Sequence, residues 1–177
     1  MARIRKVTKL SSSHGNRQGG LFGIFSIESD VAGEDYRLFL REASERFPIF
    51  MLVWRYSCAL DIRRALRPLQ LKHYRRSRWP GTVLYKDTAD LITYRFDKHA
   101  VGVLERPGSL FHWLHSKYPE DLAFFRADKT CAFGSVIHEG DAYILDADFA
   151  RALPKHFKLV EETVSESDWK EFYDHLA

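Results

Sequence analysis

Six consecutive apolar residues, Ile49 to Trp54, constrain this chain more than any other stretch. Apolar side chains on successive positions suit a strand covered on both faces, and the pattern predicts a strand over Ile49 to Tyr56. The run is the longest apolar one in the sequence. It falls far short of the about 20 residues that cross a bilayer as a helix, so no membrane span is expected. Immediately before it, Tyr36, Phe39, Leu40, Ala43 and Phe47 recur at i, i+3, i+4, i+7 and i+11. That spacing draws one apolar stripe along a helix, with Asp30 as its cap and Pro48 as its stop.

The remaining punctuation extends the pattern. Leu21 to Ile27 reads as a strand. Ala59 to Arg67 reads as a second helix, with Ile62, Leu66 and Leu69 on one face and Pro68 at its end. Thr82 to Lys86 and Leu91 to Phe96 read as two strands joined by the polar turn 87–90, and His99 to Leu104 as another strand. Ser109 is placed to cap a helix over Leu110 to Tyr118, closed by Pro119. Three apolar runs follow at short spacing, Leu122 to Arg126, Cys131 to Ile137 and Ala142 to Leu145, and predict an antiparallel meander. A short helix over Asp146 to Leu153, a strand over Phe157 to Val164 and a closing amphipathic helix carrying Trp169, Phe172, Tyr173 and Leu176 complete the chain. Helices cluster early and strands late. The expected fold is therefore α+β, with a mostly antiparallel sheet of about 6–8 strands packed against 3–5 helices.

At 177 residues the chain has the length of one domain, and 45% of it is apolar. Such a chain buries a core without a metal or disulfide staple. Residues 1–20 read as a flexible basic arm, because serines and glycines there offer no apolar burial against the entropy of ordering. Residues 21–177 read as one α+β domain. Two cysteines, Cys58 and Cys131, make no disulfide framework, and the first twenty residues carry no apolar stretch of secretory length. The expected setting is reducing and cytoplasmic, although the basic, serine-bearing start also suits an organellar transit peptide.

Charge is distributed unevenly. Eight Arg and Lys residues stand between Arg55 and Trp79 against one acid, Asp61, whereas Glu139 to Ala177 holds ten acids and four bases. Arg63, Arg64, Arg67, Lys72, Arg75, Arg76 and Arg78 form a candidate binding face. Guanidinium forks bind phosphates and carboxylates bidentately, and Tyr74 and Trp79 are candidate stacking platforms beside them. The partner of such a face is nucleic acid or an acidic protein. The competing reading is a solvated face that pairs with the chain's own acidic C-terminal segment.

The other chemistry-bearing segments are weaker. His112 and His115 stand at helical i, i+3 spacing and could share a metal, yet no companion ligands at metal spacing accompany them. His138 beside Glu139 and Asp141 could shuttle protons, but Gly140 marks the segment as an ordinary turn. Cys58, ahead of the arginine-rich helix, is the best-placed nucleophile, although a buried structural cysteine is the stronger reading. Cys131 opens an apolar strand and reads as core. Gly19, Gly20 and Gly23 have no lysine–serine or lysine–threonine pair behind them and form no P-loop. No cofactor is expected.

Three function classes follow. The first is a non-enzymatic binding protein using the basic face. The second is a small bacterial protein-interaction module, such as an inhibitor or immunity-type protein. The third is a small hydrolase or metal-dependent enzyme built on His138, Glu139 and Asp141, or on His112 and His115.

Overall fold

The computed structural model describes residues 21–55, 59–113 and 118–165. The predicted basic arm, Cys58, His115 and the predicted closing helix lie outside these residues. In chain order the elements are β1 (Leu21–Ile27), α1 (Gly33–Arg46), β2 (Ile49–Trp54), α2 (Leu60–Leu66) and β3 (Gln70–Arg76). The short strands β4 (Arg78–Trp79) and β5 (Thr82–Val83) come next, then β6 (Ala89–Arg95), α3 (Lys98–Leu104) and β7 (Glu120–Phe125). The chain continues through β8 (Cys131–Val136), β9 (Asp141–Ile144), α4 (Ala147–Ala152) and β10 (Leu159–Ser165).

Eight of these strands form one sheet in the order β10-β1-β9-β8-β7-β2-β6-β3, and β4 pairs only with β5. Every ladder in the large sheet is antiparallel. The α+β class is therefore as expected, and β7, β8 and β9 form the predicted meander. The apolar run Ile49–Trp54 lies inside the sheet between β7 and β6, with Phe50, Met51, Leu52, Val53 and Trp54 all buried.

Alternation along β2 divides the core in two. Phe50, Leu52 and Trp54 face the cluster formed with α1, α2, α3 and α4. Phe39 on α1 packs against Phe124, Phe133 and Phe149 with ring centroids 5.2–5.7 Å apart. Each such ring contributes about 1.5–3 kcal/mol on burial. Met51 and Val53 face the other side, with Trp79, Leu84, Leu91, Phe125 and Cys131.

Several local expectations are corrected. His99 to Leu104 is helix, because the Asp97 carboxylate accepts the N–H groups of His99 and Ala100 and caps α3. Asp30 does not cap α1: Ala32 occupies that position without a side-chain bond, and Asp30 accepts the Phe111 N–H instead. The helix predicted from Leu110 is a single 3-10 turn, Leu110–His112, within the described residues. Thr82–Val83 turns back on Arg78–Trp79 instead of pairing with β6. The strand Gln70–Arg76, unanticipated from sequence, pairs with β6 and forms an edge of the sheet.

Candidate binding site at the basic edge of the sheet

Helix α2 exists because Ile62 and Leu66 bury one stripe against the helix-side core. With one face fixed inward, Arg63, Arg64 and Arg67 are turned to solvent. A 3-10 turn, Arg67–Leu69, carries Pro68 and drops the chain directly into β3. Arg63, Arg64 and Arg67, with Leu60 and Gln70, line a groove of about 430 Å³. The Arg63 guanidinium also lies 5.5 Å from the Trp54 ring centroid, a cation–π contact that fixes its direction.

Strand β3 continues the basic surface. Directly paired residues of an antiparallel ladder share a face. Tyr74 pairs with Leu91 and Arg76 with Ala89, both in the second core cluster, so Lys72, Tyr74 and Arg76 lie on the face away from the helices. His73 and Arg75 pair with Ile92 and Asp90 on the helix face. The Tyr74 ring is flanked by Lys72 at 5.9 Å and Arg76 at 5.0 Å. His73 Nε2 lies 3.1 Å from an Asp90 carboxylate oxygen, and Arg75 donates to the Thr88 hydroxyl. Among the described residues, no carboxylate lies within ion-pairing distance of Arg63, Arg64, Arg67, Lys72, Arg75 or Arg78. The acidic strand β10, with Glu161 and Glu162, is the opposite edge of the sheet, seven strands away. It does not neutralise β3.

Trp79 is a correction. It is only 2% exposed, and its indole N–H donates to Asp121 Oδ2 at 2.7 Å. Having spent both faces on packing and its donor on a buried carboxylate, it cannot serve as a stacking platform. Instead the segment 77–84 straps across the sheet, with Leu84 N–H bonded to Ser77 O and Gly81 wedged against Val136.

Asp121 itself escaped sequence reasoning, since an Asp after Pro119 and Glu120 reads as a plain turn residue. It occupies a bulge: Met51 pairs with Ala123 and Val53 with Glu120, leaving two β7 residues opposite Leu52. Its φ of 47° lies in the left-handed region that Asp tolerates better than most residues. The bend turns the carboxylate inward, where Trp79 Nε1–H and the Ile137 N–H supply its two hydrogen bonds. Burial pushes its pKa up to about 6, opposed by those two donors and by His138. Beside it, Glu120 pairs with Arg55 at 3.6 Å.

His112 and His138 stand on separate 3-10 turns. His112 Nδ1 is 3.0 Å from the Pro107 carbonyl, and His115 lies outside the described residues. His138 and Glu139 are exposed on a 3-10 turn, with Asp141 half-exposed just beyond it. Among the described residues no three His, Cys, Asp or Glu side chains gather as a metal site. Cys131 is buried, which pushes its thiol up to about 12 and leaves it protonated. Among the described residues no helix is long and apolar enough to cross a membrane. Neither the family models nor the curated proteins nor the solved structures compared with the chain include a match.

Proposed function

We propose that the chain is a non-enzymatic binding protein that uses α2 and β3 to hold an acidic polypeptide. One observation carries the reading. Cations stand on α2, which leads through one 3-10 turn into β3, and on both faces of β3, the edge strand farthest from the chain's own acidic strand. An edge strand offers unpaired main-chain N–H and C=O groups to an incoming extended segment, and flanking cations select an acidic one. The Arg63, Arg64 and Arg67 groove takes carboxylates beside that strand. Nucleic acid fits less well, because Trp79 is buried and Tyr74 is already flanked by Lys72 and Arg76.

Fluorescence anisotropy tests this with a labelled peptide of alternating Glu and Val, beside a labelled single-stranded DNA. The peptide is expected to bind with an affinity that falls as salt rises. R64E/R67E should weaken it more than about tenfold while leaving the melting temperature unchanged, since both side chains are exposed. Equal peptide binding by the variant would overturn the assignment. Tight DNA binding without peptide binding would move the partner to nucleic acid.

A further inference from the structure

The large sheet ends in two strands of equal length and opposite charge. β3, of sequence QLKHYRR, closes one edge, and β10, of sequence LVEETVS, closes the other. Because every ladder between them is antiparallel, strand direction alternates across the sheet and β3 runs opposite to β10. A second copy added beside the first, in the same orientation, therefore brings its β10 antiparallel against β3. Antiparallel pairing is what such an edge accepts.

The faces match as well. Glu162 pairs with Ile24 and lies on the face away from the helices, the face of Lys72, Tyr74 and Arg76. Glu161 pairs with Phe25 and lies on the helix face, with His73 and Arg75. The register that sets Glu162 opposite Tyr74, between Lys72 and Arg76, also sets Glu161 opposite Arg75.

From this we infer that the acidic polypeptide held by β3 is the β10 strand of a second copy, joined head to tail into a continuous sheet. The inference rests on the reading of the basic edge as a docking surface. Charge decides the pairing mode. Two β3 edges repel, as do two β10 edges, so symmetric edge pairing is disfavoured and β3-to-β10 pairing is selected. Such a contact is heterologous and leaves one free edge of each kind, so assembly proceeds beyond the dimer as concentration rises.

Sedimentation velocity on the full chain tests the inference, over a concentration series at low and at molar salt. The expected result is a weight-average sedimentation coefficient that rises past the dimer value at low salt and collapses to monomer at high salt. K72E/R75E/R76E alone and E161K/E162K alone should each stay monomeric. An equimolar mixture of the two variants should assemble again, because each then carries two edges of one sign complementary to the other's. Circular dichroism melting confirms that both variants fold. A wild type that remains monomeric at every concentration overturns the proposal, as does assembly that survives either charge reversal or a mixture that stays monomeric. If the wild type is monomeric yet binds the Glu–Val peptide, the docking reading stands and only the second copy falls. If it does neither, both fall.

Discussion

Asp121 shows how one residue can tie the strap over the sheet. Its carboxylate joins β7 to Trp79 on the strap and to Ile137 beyond β8. Burial favours its protonated form, so the native state binds a proton that the unfolded chain has released. Between the unfolded pKa of 3.8 and the folded value of about 6, this group's contribution must fall as pH rises, and stay level above that window. The stability difference between wild type and D121N, measured by urea unfolding, should therefore drop by roughly 2 kcal/mol from pH 4 to pH 7. A difference that is flat or rises across that range contradicts the assignment. W79F removes the indole donor while keeping most of the packing. It should cost about 1–3 kcal/mol and extend the pH window upward, because one of the groups that stabilises the carboxylate is gone. An unchanged urea midpoint at neutral pH would show that the Trp79–Asp121 bond holds nothing. None of this was legible in the sequence, because the position of Asp121 is set by a bulge and by a strap that arrives from about forty residues earlier.

Among the elements, those whose pattern reflects burial were legible. The helix α1, the buried strand β2 and the meander β7-β8-β9 follow from apolar spacing alone, since their side chains meet the core at the period of the backbone. β3 was missed because only one flank of an edge strand is paired and its side chains are exposed, so no apolar alternation marks it. α3 was misread because Ala100, Val103 and Leu104, its buried residues, sit in a segment too short to separate the two periods. The strap has its own requirement at Gly81. Its φ of 78° favours glycine, and an added Cβ would meet Val136 Cγ2 at 2.6 Å. G81A should destabilise the protein by about 1–3 kcal/mol through strain and overpacking together. Thermal melting with no loss for G81A would show that the strap is loosely seated.

Over the whole molecule, the uneven charge visible in the sequence becomes a sheet with a basic edge and an acidic edge. Sequence alone could identify the arginines but not decide whether the acidic C-terminal segment covered them, since that depends on strand order. The order places seven strand steps between β3 and the acidic strand β10, so β10 does not pair with β3 within one copy. The other side-chain candidates lie on other elements, His112 on the 3-10 turn after Ser109 and residues 138–141 between β8 and β9. The measurement that tests the docking claim most directly is a titration of isotope-labelled protein with the Glu–Val peptide, followed by amide chemical shifts. The expected shifts fall on residues 60–76, on the adjoining β6 amides, and on those β10 amides that the peptide releases from a second copy. Shifts centred on the groove between α1 and α3, or on residues 138–141, would contradict it.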